Sequence, residues 1–188
     1  MRIIAGNFKG RKIFEPLDKE TRPLKDLTRG SIFNILEHSN NEKVSIKESS
    51  ILDLFSGTGS FGLECISRGA SKVYFIEKYK PSIKILSKNI EKLKCEKKIK
   101  IFSENAFDLI KLKKILKNKF NLIFLDPPYK EKNINLLLND IRIMNILAKD
   151  GIIVLHRQKK SIDNFNKKFK ILRVEIYGKS KIIFGQII

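Results

Sequence analysis

The chain has 188 residues, 42% of them hydrophobic and 31% charged, which supplies the core of one domain with at most a small appendage. No stretch approaches the roughly 20 apolar residues that a bilayer span requires, and Cys65 and Cys95 are too few and too far apart for a metal site, so neither a membrane nor a metal is expected and reduced thiols are. The formal charge of +19 favours a polyanionic partner without naming one, because only eight of the 39 basic residues are arginine and the lysine excess has a second explanation in codon bias.

Residues 1–15 read as a hairpin turning at Asn7-Phe8-Lys9-Gly10. Arg2, Lys9, Arg11 and Lys12 break up any apolar block there, so a secretory signal is not expected and a cytoplasmic location is. Thr21 to Pro23 lead into a helix over 25–38, with Leu27, Ile32, Phe33, Ile35 and Leu36 at near-helical spacing. A polar linker over 40–50 then separates an N-terminal extension, residues 1–40, from a second unit, residues 50–188.

In that second unit, strand patterns recur near Ile51, Val73, Ile99, Leu122 and Ile152, with helical segments at 62–68, 82–93, 106–116 and 134–146 between them. Such alternation predicts an α/β fold, Rossmann-like, with a mainly parallel sheet covered by helices on both faces. Two last strand patterns, 170–176 and 181–187, flank the turn Tyr177-Gly178-Lys179-Ser180, and an antiparallel hairpin at one sheet edge is expected there.

The first strand pattern ends in Asp53-Leu54-Phe55 and is followed by Ser56-Gly57-Thr58-Gly59-Ser60-Phe61-Gly62, a G-x-G-x-x-G loop between strand and helix. Glycines let a backbone approach a ligand closely, and a helix N-terminus offers free N–H groups. Glu77 ends the second strand pattern 20 residues after Gly57, where an acid can bind the two hydroxyls of a ribose. Asp53 is unusual, since a carboxylate beside the loop repels a pyrophosphate and attracts an ammonium group. S-adenosylmethionine carries a ribose, an ammonium and a sulfonium but no phosphate. Capping of nearby backbone amides is the competing role for Asp53, and the two roles are compatible.

The run Leu122-Ile123-Phe124-Leu125 ends in Asp126-Pro127-Pro128-Tyr129. Asp126 supplies acceptor oxygens, the prolines a rigid turn whose carbonyls have no N–H neighbours of their own, and Tyr129 a flat face. Together they suit a planar ring held by its exocyclic NH2, although an ordinary Pro-Pro turn has the same outline. Asp53, Glu77, Asn105 and Asp126 all fall at or just past strand ends, where one crevice can gather them.

Asp53 to Glu64 together with Asp126-Pro127-Pro128-Tyr129 resembles class I S-adenosylmethionine-dependent methyltransferases that modify amino nitrogens. Arg2-Ile3-Ile4-Ala5-Gly6, Lys9-Gly10-Arg11, Thr21-Arg22-Pro23, Ile32-Phe33-Asn34-Ile35-Leu36 and Tyr177-Gly178 narrow the resemblance to the RsmD-type bacterial 16S rRNA guanine-N2 methyltransferases, over nearly the whole chain. Two positions depart from that family's pattern: Leu24 stands where it usually has Thr, and Arg29-Gly30 where it has Arg-Glu.

The resemblance implies S-adenosylmethionine as cofactor, with Asp53, Ser56, Gly57, Thr58, Gly59, Glu77, Asn105 and Ala106 around it; a helix N-cap is the competing role for Asn105. It implies catalysis at Asp126, Pro127, Pro128 and Tyr129 on a guanine that is unpaired or flipped out. Four of the eight arginines fall in the first 29 residues, ahead of the cofactor fold, and that distribution places RNA contacts on Arg2, Lys9, Arg11, Arg22 and Arg29 in the extension, where an exposed hairpin that is merely basic is the alternative. The expected partner is 16S rRNA or a 30S assembly particle, met by a monomer. A DNA adenine-N6 or cytosine-N4 methyltransferase and a non-catalytic RNA-binding ribosome assembly factor are the competing functions. His38 and His156 read as structural or surface residues.

Overall fold

A computed structural model describes residues 1–18, 24–39, 44–113 and 116–188. Arg22, with the rest of Thr21 to Pro23, and the first part of the polar linker lie outside the described residues.

β1 (Ser50–Leu54), β2 (Lys72–Ile76), β3 (Ile99–Phe102), β4 (Phe120–Leu125), β5 (Leu147–Gln158), β6 (Phe169–Tyr177) and β7 (Ser180–Ile187) form one sheet in the order β3-β2-β1-β4-β5-β7-β6. The first five pair in parallel, with Asp53 beside Phe75 on one side and Phe124 on the other. β7 pairs antiparallel with both β5 and β6, which gives the expected edge hairpin. Chain order reverses between β1 and β4, and the crevice beyond their carboxyl ends is where such sheets hold ligands.

α1 (Asp26–His38), α2 (Ser60–Ser67), α3 (Lys80–Leu93) and α4 (Ile134–Met144) pack on the sheet. Side-chain alternation sends Ile51, Leu122 and Phe124 into one core and Leu52, Leu54, Ile123 and Leu125 into the other. By the same alternation Asp53 and Asp126 both belong to the α2 face. A column of stacked rings crosses that face, from Phe33 on α1 to Phe61 on α2 at 4.9 Å and on to Phe124 at 3.8 Å.

Of the segment expected to be helical over 106–116, residues 114–115 lie outside the described residues, and Ala106–Leu112 is instead a 3₁₀ stretch with its backbone broken at Asp108. Its buried residues are Ala106, Leu109 and Leu112. That spacing of three aligns on one face when there are three residues per turn, and drifts off it at 3.6.

The N-terminal segment is hairpin-like, with one antiparallel bridge, Arg2 to Lys12, and a 3₁₀ turn over Gly6–Phe8. Ile3, Ile13, Ile32, Phe33 and Leu36 share a core with Ile51 and Phe75. Polar clasps fix it further. Glu64 accepts the N–H groups of Ile4 (2.7 Å) and Ala5 (2.9 Å), Ser67 Oγ that of Phe8 (2.9 Å), and Asn89 Oδ1 that of Phe14 (2.7 Å).

On α1 the buried stripe is Thr28, Arg29, Ile32, Phe33 and Leu36, while Leu27, expected on it, is 77% exposed.

Candidate active site

β1 runs into a loop whose backbone turns left-handed at Phe55 (φ 61°), Gly57 (φ 55°) and Gly59 (φ 84°). Gly59 is glycine for its left-handed backbone, and a Cβ there would also push on the tip of the Leu86 side chain at 2.3 Å. Gly62 has a different reason. Its Cβ would meet the Phe75 ring at 2.3 Å, so this third glycine of the motif lets α2 settle on β2 rather than admitting a ligand.

Asp53 is buried, and its Oδ2 accepts the Gly62 N–H at 3.0 Å, which is the capping role. Burial pushes its carboxyl well above the usual carboxylate range; the Gly62 N–H opposes that, and Asp126 and Glu77 add to it. Glu77, at the end of β2, accepts the N–H of Gly57 through Oε2 and that of Tyr79 through Oε1, both at 2.8 Å. It therefore ties the glycine loop to the neighbouring strand. Asn105 caps the 3₁₀ stretch, its Oδ1 accepting the Phe107 N–H at 3.2 Å.

At the end of β4 the Asp126 N–H donates to the Leu54 carbonyl at 3.3 Å, prolonging the ladder by one residue. Asp126 Oδ1 lies 2.8 Å from His156 Nδ1, and His156 Nε2 lies 2.8 Å from Ser180 Oγ. Arg157, next along β5, donates to the carbonyls of Pro128 (3.4 Å) and Glu131 (2.6 Å) and to Asp163 (2.8 Å). The Pro128 carbonyl also accepts the Glu131 N–H at 2.9 Å. This corrects the expectation of an uncontested acceptor at Pro128: its oxygen closes the turn. His156, read from sequence as a structural or surface residue, is buried, and its contact with Asp126 was not singled out. Its signal was a polar residue ending the apolar run Ile152 to Leu155, just as Asp126 ends Leu122 to Leu125.

A cavity of about 630 Å³ gathers Asp53, Ser56, Gly57, Thr58, Glu77, Asn105, Ala106 and Asp126 through Tyr129. Gly59 is not part of its wall. Phe55, Lys78, Tyr79 and Glu104 line it although sequence reasoning did not single them out, as does Leu24, whose side chain is otherwise in the core. Four carboxylates, Asp53, Glu77, Glu104 and Asp126, thus face one cavity in a chain of formal charge +19. That donor set fits a ligand of nucleoside size bearing a ribose and cationic groups.

Arg2, Lys9 and Arg11 are exposed on the N-terminal segment, and Arg11 lies over the Phe8 ring at 5.1 Å. Arg2 and Lys9 border a second concavity of about 520 Å³ with Asp26, Leu27 and Asn34. Arg29 is a correction. It is fully buried, bonded to the Arg2 carbonyl and to Asp26 Oδ1 (2.9 Å), with Nε 3.9 Å from Glu64, and no polyanion reaches it. Its guanidinium is a strut beneath the segment whose exposed residues carry the free charge.

Among the described residues no group of three or more His, Cys, Asp or Glu side chains could hold a metal ion, and no helix is long and apolar enough to cross a membrane.

Known proteins share this outline. The model of the family described as "Conserved hypothetical protein 95" matches residues 1–186. "Ribosomal RNA small subunit methyltransferase D" of Haemophilus influenzae is 33% identical over 164 residues, 85% of this chain and 79% of that protein. The solved structure of yhhF from Escherichia coli superposes with a TM-score of 0.81 at 25% identity, over 100% of this chain and 97% of that one. SMU.776, a structure complexed with SAH, has a TM-score of 0.66 at 17% identity and covers 86% of this chain and 48% of that one, a likeness of fold.

Proposed function

The chain belongs to the conserved hypothetical protein 95 family, the RsmD-type class I methyltransferases, and from that premise we propose that it methylates the exocyclic N2 of a guanine in 16S rRNA with S-adenosylmethionine as methyl donor. One observation carries the reading: Asp126 faces the same cavity as Asp53 and Glu77, so an amine held by the first meets a ligand held by the other two.

S-adenosylmethionine, when bound, supplies an electrophilic methyl group on a positively charged sulfur. Asp53 would face its ammonium, supported by Ser56, Thr58 and the loop glycines. Glu77 would take the ribose hydroxyls, because each of its oxygens has a lone pair beyond the N–H it already accepts. Asn105 and Ala106 would border the adenine.

A guanine amine is a weak nucleophile because its lone pair is delocalised into the ring. Asp126 accepts one N2 hydrogen and the Pro127 carbonyl the other, while Tyr129 stacks on the base. Holding both hydrogens turns the lone pair toward the methyl group and favours the pyramidal nitrogen; orientation of this kind contributes several kcal/mol, on the order of 7–11 at its limit. The carboxylate also stabilises the positive charge that develops on nitrogen, and it is the nearest acceptor for the departing proton. The base reaches the cavity only when unpaired or flipped out.

In this reading residues 1–40 form the RNA-binding extension of a methyltransferase unit at 50–188, with Arg2, Lys9 and Arg11 on phosphates. The partner is a 30S assembly particle or its rRNA, met by a monomer in the cytoplasm. Purified protein is incubated with methyl-labelled cofactor and, separately, 30S particles, free 16S rRNA and genomic DNA, followed by nucleoside analysis. Label in N2-methylguanosine from the ribosomal substrates is the expected result. Label confined to DNA, or none, rules the reading out.

A further inference from the structure

We propose that His156 is a positioning residue for the Asp126 carboxylate, with Ser180 fixing the tautomer of its ring. The inference rests on the methyltransferase reading and adds to it a residue that touches neither base nor cofactor.

Register brings the pair together. Leu125 on β4 stands opposite Leu155 on β5 in parallel, so the next residues, Asp126 just past β4 and His156 still within β5, stand side by side. The imidazole is almost wholly buried, its side chain 3% exposed, and a buried ring nitrogen without a partner is costly. Both nitrogens have one. Nδ1 is 2.8 Å from Asp126 Oδ1 and Nε2 is 2.8 Å from Ser180 Oγ. A carboxylate only accepts, so Nδ1 carries the proton, and the serine hydroxyl donates a hydrogen bond to the unprotonated Nε2.

The terminal torsion of an aspartate is broad and roughly two-fold, so a carboxylate rotates about it unless contacts hold it. A donor on Oδ1 stops that rotation and gives the second oxygen one direction. Arg157 does the same for the main chain, holding the Pro128 and Glu131 carbonyls while Asp163 holds it. Consecutive residues of β5 therefore set the turn and the acid separately. The Tyr129 ring meets the imidazole edge-on at 6.0 Å and 77°, so His156 also backs the aromatic wall.

The competing view is a histidine that merely fills the core. Asn places an amide nitrogen where Nδ1 stands, Gln places one near Nε2, and Phe keeps only the volume. His156→Asn is expected to hold kcat within about fivefold of wild type. His156→Gln and His156→Phe should each lower it about 10–100-fold, as loss of an outer partner does elsewhere, with cofactor Kd and RNA KM within about twofold. Equal loss in Asn and Gln, or no loss in Phe, overturns the proposal.

A second measurement needs no variant. The chain has two histidines, and the exposed His38 is an internal reference for ¹⁵N NMR of the imidazoles. A proton on His156 Nδ1 is expected; a ring protonated at Nε2 alone overturns the proposal. Wild-type protein that transfers no methyl group to rRNA would instead remove the underlying reading, and the tautomer then decides the geometry by itself.

Discussion

The carboxylate of Asp53 accepts the N–H of Gly62 at 3.0 Å, joining the end of β1 to the first turn of α2 directly behind the glycine loop. Burial raises its folded pKa above the unfolded value of about 4. A raised carboxyl favours folding fully below the unfolded pKa, and that contribution is lost as pH climbs toward the folded one. Asp53→Asn removes the cost of ionising a desolvated carboxyl. Without ligand, its Tm should match or exceed wild type at pH 7, with the gap closing toward pH 4 in thermal melts at stepped pH. Cofactor Kd, read by calorimetry, should weaken about tenfold or more, since one charge partner contributes about 1.4 kcal/mol or more.

Glu64 is a fully buried acid with both oxygens engaged, Oε2 on the N–H of Ile4 and Oε1 on the N–H of Ala5 and on Arg68 Nε at 2.9 Å, with Arg29 close by. Glu64→Ala leaves two arginines short of a counter-charge and two amides unpaired. Breaking a buried pair from one side costs about 3–5 kcal/mol, and a loss of that size in unfolding free energy is expected from urea titration. A loss below about 1 kcal/mol would mean that the N-terminal segment is held by its apolar packing alone.

Asp126→Ala should leave cofactor binding within about threefold of wild type, because the proposed cofactor residues lie on other strands, while single-turnover transfer falls by about 10³-fold or more. Equal losses in both would recast Asp126 as part of the cofactor site.

Arg2, Lys9 and Arg11 are exposed on one segment while Arg29 is buried beneath it. Replacing the three exposed residues with Ala should raise the RNA KM with little change in kcat. The slope of log K against log salt should fall by about 0.7–0.9 for each phosphate no longer neutralised. Lys111, exposed and paired with Asp108 at 2.9 Å, is a control whose replacement should leave the slope unchanged.

Element order, the parallel core of the sheet and the edge hairpin were legible because short apolar runs alternate with helical patterns, and three of those runs carry an acid at or near their ends. Each of those acids, Asp53, Glu77 and Asp126, lines the cavity. Arg29 was misread from composition, although its place was visible: 29, 32, 33 and 36 form one helical stripe, and Leu27 lies off it. His156 was hidden for another reason. Which residue stands beside Asp126 depends on the register of β4 against β5, and parallel register is set by packing between segments about 30 residues apart, not by local pattern. The Glu77 bond to Gly57 is similar: the spacing marked both residues, but not that they hold each other.

Asn89 on α3 clasps Phe14 from both sides, accepting its N–H and donating to its carbonyl at 3.1 Å, and its amide also reaches the Thr58 carbonyl. Translation delivers Phe14 first and Asn89 only 75 residues later, at about 5–20 residues per second. For that interval of several seconds Phe14 lacks its partner, although Ile3 and Ile13 already have Ile32, Phe33 and Leu36 of α1 to pack on. The far end of the opening segment is thus fixed late, and a nascent polypeptide halted short of α3 would leave the backbone N–H and carbonyl of Phe14 to water.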